Sequence, residues 1–371
     1  MHSQELALDP SVVRSFVLPA ELRSGNEVND FDAFGTDAVY VELNGATAGR
    51  GQQVWLVDLA AGQVEPLNDA QPDVSTLAPR ISGDDVVWSA DEWRPGGSVA
   101  WKIMHYSLST GMTDVVASGR NTALDGDTAD APAVDVDQGV IAYSVGSPSP
   151  AHPLASTIVI KRLADGATVR SVSATSTLFN IALSGTNVLF SQGSSDPKTA
   201  EVTETDVYLS TDANPEPTLI APKAFDVSFA ADTMVWSGPP SHAPSDTSQA
   251  IWTATTEMIT PVEISEPPAV GIIDLHPAAG DGFASWNEAL PAWSYLVVWD
   301  RALGHTVRVM GHGDESYSDN TDFFRSAFGD GWLMWTFVTR SMTNPGTQIF
   351  EAVRLDDLRA AYGLPASTAG P

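Results

Sequence analysis

Four aspartates, one asparagine and two arginines recur through this chain, each eight to twelve residues before an aromatic: Asp32, Arg80, Asp135, Asn180, Asp226, Asp274 and Arg325. Most have apolar neighbours, as in Phe225-Asp226-Val227 and Ile273-Asp274-Leu275. In a β-strand that pattern sends the polar side chain to the face opposite its neighbours. Seven such strands around one axis would line a channel with carboxylates and guanidinium groups. A channel of that kind suits a small polar or cationic ligand, or a metal ion. If two of its carboxylates stood about 5–9 Å apart, they would also suit glycosidic bond cleavage. Trp93 and Trp293, in or beside loops joining a repeat's second and third strands, offer flat faces for a sugar ring.

The elements that would hold these residues are visible as a repeat. An apolar strand carrying an aromatic follows a Gly- or Asp-containing turn seven times, at Tyr40, Trp88, Tyr143, Phe190, Trp236, Trp286 and Trp335. The separations are 48, 55, 47, 46, 50 and 49 residues. Self-similarity of that period marks an architecture built from one supersecondary unit per repeat. The second unit is the clearest. Leu77–Ser82 reads as a strand, Ser82-Gly83-Asp84-Asp85 as a turn and Val86–Ala90 as an apolar strand. A loop over Glu92–Ser98 leads to strands at Ala100–Leu108 and Met112–Ala117, joined by Ser109-Thr110-Gly111. Alternating strands bounded by Gly, Pro, Asn and Asp are antiparallel and half-buried. Four of them make one blade of a propeller. The sequence therefore predicts an all-β, seven-bladed propeller occupying residues 1–371 as one domain, with blades near 29–67, 77–117, 131–173, 177–220, 223–265, 271–310 and 322–358. Ser11–Leu18 is expected to join the last blade as its outer strand, because an open sheet edge invites aggregation. The segment from Asp356 reads as a short helix, and residues 359–371 as a tail.

The order of turn, strand with aromatic, strand, Ser/Ala-x-Gly and strand resembles the TolB-like and WD-like (PD40) propeller repeat. Ser82-Gly83-Asp84-Asp85, Val86-Val87-Trp88 and Ser107-Leu108-Ser109-Thr110-Gly111 carry the likeness best, with Val57-Asp58-Leu59-Ala60-Ala61-Gly62 matching its second half. No unit carries Ser-Pro-Asp-Gly intact, and blades 4 to 7 match only in outline. The resemblance implies architecture, because such propellers serve as scaffolds, receptors and enzymes alike. It also implies that the usual binding face carries the loops entering the innermost strands. Those loops are the long ones here: 44–52, 119–130, 146–156, 193–205, 238–249 and 311–322.

Composition removes several functions. Eighteen basic against 47 acidic side chains give a net charge of −29, which repels nucleic acid and anionic lipid. The partner expected is a protein or a carbohydrate. No apolar run approaches the ~18 residues of a membrane span. The first residues, MHSQELALDP, carry neither the basic nor the apolar stretch of a signal peptide. The acidity nevertheless suits an extracytoplasmic or secreted protein. With no cysteine, disulfides, thiolate catalysis and Cys-based zinc sites are excluded. The seven histidines form no His-x-x-x-His pair, and no Gly-x-Ser-x-Gly, P-loop or Gly-x-Gly-x-x-Gly occurs. Oxygen donors of the kind Ca²⁺ prefers stand at Asp125, Asp127 and Asp130, and at Asp314, Glu315, Asp319 and Asp322, but without EF-hand spacing, so the metal signal is weak. No cofactor is expected. The reading favours a non-enzymatic binding or scaffold propeller; the other reading is a lyase or glycosidase using the channel carboxylates.

Overall fold

In the computed structural model the chain is a ring of seven antiparallel sheets, as the repeat predicts. The structure describes residues 4–5, 8–18, 28–42, 52–69, 71, 74–94, 98–122, 131–147, 155–195, 202–241, 249–265, 273–289, 294–312, 325–341 and 344–362. The innermost strands are Val28–Phe34, Ser75–Ser82, Val134–Asp137, Thr177–Ser184, Phe225–Ala230, Ile273–Gly280 and Arg325–Gly329. Each contacts the next, and the seventh contacts the first, so the ring is closed. The turn from first to second strand is tight in every blade. Gln138-Gly139 and Asp330-Gly331 have positive φ at both positions, the twist that a two-residue hairpin needs.

The repeat aromatics act as one set. Tyr40, Trp88, Phe190, Trp236, Trp286 and Trp335 are at most 1% exposed and Tyr143 is 4% exposed. Each packs against the preceding blade. Trp88 lies with Val39, Val41 and Val54 of blade 1, Phe190 with Ile158 and Ile160 of blade 3, and Trp335 with Leu296 and Val298 of blade 6. The core is thus seven apolar seams rather than one centre. At the seam between blades 7 and 1 the backbones nearly touch. A Cβ on Gly329 would stand 2.7 Å from the Cα of Phe34, so this position admits glycine alone.

Ring closure follows expectation, with one addition. Arg14–Val17 pairs antiparallel with the third strand of blade 7, Asn344–Arg354, in the register Arg14↔Ala352 to Val17↔Ile349. Leu18 continues it by donating its N–H to the Gln348 carbonyl at 3.0 Å, and is itself 2% exposed. Arg14 stacks over the Trp332 ring at 4.8 Å. The addition is Gln4–Glu5, which runs parallel to His305–His312 as a fifth strand of blade 6. The N-terminal segment therefore grips two blades. Deleting residues 1–19 is expected to lower the denaturation midpoint, with the lost burial of Leu18 alone worth about 2 kcal/mol. An unchanged midpoint in urea would count against the clasp.

Blade 2 differs from its sequence reading. Its second strand, Asp85–Arg94, runs past the point where a loop was expected and pairs with Ser98–Ser107 out to Arg94↔Ser98. Trp93 thus sits on strand backbone, opposite Val99. The fourth strand, Met112–Thr122, absorbs a bulge between Val115 and Ala117 and extends into the segment read as a loop. Blade 4 similarly runs as strand to Ser195 and resumes at Val202. A helix at Leu355–Ala361 ends the described chain, buries Leu358 and ties Arg359 to Asp300 at 2.6 Å. No helix among the described residues is long and apolar enough to cross a membrane.

Candidate functional site

The seven polar inner-strand residues do not share one level. Counting back from each blade's aromatic, Asp32, Arg80 and Asp135 stand eight residues upstream, Asn180, Asp226 and Arg325 ten, and Asp274 twelve. Bulges add to this in three blades. The pairing of first and second strands shifts between Leu77 and Arg80, Phe225 and Ser228, and Leu275 and Ala278. At each of these Ala78, Asp226 or His276 adopts positive φ. An added residue in one strand re-aims the side chains around it. At the level of Asp32, Arg80 and Asp135, blades 4 to 7 contribute Ala182, Ser228, Ala278 and Ala327. One wall of the channel is therefore charged and the opposite wall is small.

The charged wall is partly structural. Asp32 Oδ2 accepts the N–H of Ile81 in the next blade at 2.9 Å, and Asp135 Oδ2 accepts that of Leu183 at 2.6 Å. Asp30 and Asp137 do the same for Ala78 at 3.1 Å and Gly185 at 2.7 Å. An innermost strand has no strand partner on its axial edge, and these side chains satisfy some of its amides. Arg80 lies between the two acids, its Nε 3.9 Å from Asp135 Oδ1. Burial nevertheless pushes Asp135 up to about 7, against the pull of Arg80 and with Asp32 adding to the rise. Asp32 is raised by the same burial, opposed by Arg80 and by the N–H groups of Ile81 and Ala33. One guanidinium does not neutralise both.

Nearer the loop-bearing face lies a second, balanced level. Asp226 Oδ2 is 3.5 Å from His276 Nδ1. Burial would raise this carboxyl, but His276 and then Arg325 outweigh it and hold it below the usual range. Arg325 is lowered by its own burial and supported by Asp30 and Asp226. Asn180 turns toward its own blade, where Oδ1 accepts from the Ser191 hydroxyl at 3.3 Å. The side chain of Asp274 lies outside the described residues, as do Trp293, the side chain of Trp93, both acidic segments read for Ca²⁺ and the centres of the six long loops.

An axial cavity of about 740 Å³ occupies the other half of the channel. Asp32, Arg80 and Asp135 line it, and it extends to the exposed turn residues Gly185, Asp281 and Asp330. It therefore opens on the face of the short turns, whereas loop length pointed to the opposite face. Arg354, Asp356 and Arg359, at the C-terminal helix, border the mouth. Sequence reasoning passed over His276 because a lone histidine carries no spacing signal, although its position ten residues before Trp286 matches Asp226 and Arg325. It also passed over Asp91, wholly buried between blades 2 and 3. Ser89 donates to its Oδ1 at 2.6 Å, and Oδ2 has no partner.

No protein-family model matches the chain, and no curated protein matches it. Solved structures do. The β-propeller domain of the Trilobed protease from Pyrococcus furiosus, described as having an open Velcro topology, aligns with a TM-score of 0.59 at 10% identity over 89% of this chain and 95% of that one. The acylaminoacyl peptidase of Pyrococcus horikoshii aligns at 0.58 and 12% identity over 91% of this chain, which spans about half (53%) of the peptidase. An oligogalacturonate lyase from Vibrio parahaemolyticus aligns at 0.53 and 13% identity over 95% of this chain and 98% of the lyase. Likeness at such identities is to the fold alone: this chain is a seven-bladed β-propeller, closed here by Arg14–Val17.

Proposed function

We propose that this chain is a binding or interaction propeller that works outside the cytoplasm and holds its ligand in the axial cavity. The observation that carries the reading is the asymmetry of the channel. Asp32, Arg80 and Asp135 face a wall of Ala182, Ser228, Ala278 and Ala327, which leaves about 740 Å³ beside under-neutralised charge. A cavity of that size falls within the range of small-molecule sites. The net charge of −29 suits an extracytoplasmic setting. Binding is favoured over catalysis because Asp32 and Asp135 each have an oxygen committed to a neighbouring backbone N–H.

A second reading has one observation behind it. A carboxyl held near neutrality, as Asp135 is, matches the demand on a general acid. The likeness to an oligogalacturonate lyase places carbohydrates among the substrates to try. Thermal-shift and calorimetric screening against neutral oligosaccharides, uronates, short peptides and amines tests the first reading, with Ala278→Trp as the cavity-filling control. Binding of at least one class, lost in Ala278→Trp, is the expected outcome. Binding insensitive to the tryptophan would move the site to the loop face. Turnover of an oligosaccharide by the wild type, reduced at least 100-fold in Asp135→Asn with the fold intact, would establish the enzyme instead.

A further inference from the structure

We propose, resting on the reading of the axial cavity as the ligand site, that its occupant is a short neutral saccharide, anchored at the inner end of the cavity by Arg325 and Asn287.

Arg325 is the first observation. It opens the innermost strand of blade 7, half-buried, ten residues before Trp335. Its guanidinium is a fork of N–H donors that accepts nothing. Asp30 and Asp226 act on it through their charge, yet among the described residues no oxygen comes within hydrogen-bond or ion-pair reach of it. Asp30 turns Oδ2 to the Ala78 N–H at 3.1 Å, and Asp226 turns Oδ2 to His276 Nδ1 at 3.5 Å. The acids are near enough to hold the cation and too far to satisfy it. Arg80 repeats this one level closer to the turns. Its Nη1 donates to the Pro79 carbonyl at 2.8 Å, and its Nε is 3.9 Å from Asp135 Oδ1, beyond hydrogen-bond reach.

Asn287 is the second observation. It is 1% exposed, and neither Oδ1 nor Nδ2 has a partner. Ser285, two residues earlier and therefore on the same strand face, meets Ser326 Oγ to Oγ at 2.9 Å. Second strands run toward the loop face and innermost strands away from it, so Asn287 and Arg325 both lie on the loop side of that contact. The amide is thus turned toward the start of the strand that Arg325 opens. A buried amide with both atoms unmet lowers stability, and a bound group that meets it restores the loss. The cavity gives access from the other side. It reaches Phe31, Val227, Pro277 and Ser326, each one residue short of the level of Asp30, Asp226, His276 and Arg325.

The signs at this level select an uncharged occupant. An anion seated on Arg325 would stand against Asp30 and Asp226, and a cation seated on either acid would stand against Arg325 and Arg80. A hydroxyl both donates and accepts. It takes an N–H from Arg325 and donates to a carboxylate, bridging a spacing that a direct ion pair leaves open. A second hydroxyl serves the Asn287 amide, which also donates and accepts. A saccharide carries several hydroxyls on one uncharged frame.

Isothermal titration calorimetry of the full chain is the test, with maltotriose, cellotriose, mannotriose and xylotriose as neutral probes and trigalacturonate and triglucosamine as charged ones. At least one neutral trisaccharide is expected to bind, and more tightly than either charged one. Arg325→Gln is expected to weaken it about tenfold, because hydrogen bonds from a charged donor are lost. Asn287→Leu is expected to weaken it about fivefold and to raise the urea midpoint of the free protein, because the unmet amide is gone. A lowered midpoint would show an amide with a structural partner and overturn the site. No heat from any neutral trisaccharide, or tighter binding of a charged one, would overturn the neutral ligand. Binding that Arg325→Gln leaves unchanged and Ala278→Trp abolishes would overturn the anchor and keep the cavity as the ligand site. Binding that survives Ala278→Trp in a folded protein would overturn both. Arg325→Gln and Asn287→Leu read the proposal even if Ala278→Trp does not fold.

Discussion

Trp236→Ala is expected to lose roughly 3–5 kcal/mol of unfolding free energy, read as a shift of the urea midpoint with an unchanged slope. The indole is 1% exposed and packs with Leu189, Val207 and Leu209 of blade 4 as well as Met234 and Ala254 of its own blade. Truncation would leave a cavity that neither sheet can close, because each is held by its own ladder of hydrogen bonds. The backbone ladder Trp236↔Trp252 stays in place, so the seam cannot slide to refill the space. The effect should recur at Trp88 and Trp286, which occupy the same seam position against blades 1 and 5. A loss below about 1 kcal/mol at Trp236 would mean that the seams are not the core.

Asp91→Asn is expected to stabilise the protein at pH 8 and to destabilise it by about 1–2 kcal/mol at pH 4. Asp91 is fully buried, and burial pushes it up to about 7, with the Ser89 hydroxyl opposing the rise. The folded-state value lies above the unfolded one. The stability it contributes is therefore complete below the unfolded value near 4 and is lost as pH rises toward 7. Through that window the wild type should weaken relative to the asparagine variant by about 1.4 kcal/mol per pH unit. Allowing for the new amide's own unmet donors, the variant should lead by roughly 2–3 kcal/mol at pH 8. Denaturant titrations of both proteins at pH 4, 6 and 8 check the sign. A difference that stays constant with pH would show that Asp91 is ionised throughout and has a partner.

The chain's own pattern determined the architecture. Strand alternation and turn chemistry are local, and the spacing of Tyr40 through Trp335 needs only counting, so seven blades and their buried aromatics were legible without coordinates. The clasp was legible too, because Ser11–Leu18 is apolar and lies before the first blade; Arg14–Val17 pairs as expected. Gln4–Glu5 was not, since two polar residues carry no periodicity and their parallel partner lies some 300 residues away, at Val307 and Arg308. The inner-strand register was also hidden. Side-chain facing depends on a period of two, and one bulged residue resets it. Ala78, Asp226 and His276 sit at such bulges and look ordinary in the sequence. The shared level of Asp32, Arg80 and Asp135 follows from the count of eight residues to each aromatic, but only the folded ring decided that Asn180 turns away to Ser191. It also decided that the cavity opens by the short turns. Loop length is a property of the chain, but an opening is a property of what seven strands leave unfilled at the axis. Asp91 shows the same limit, since burial without a partner depends on what the adjoining blade fails to offer.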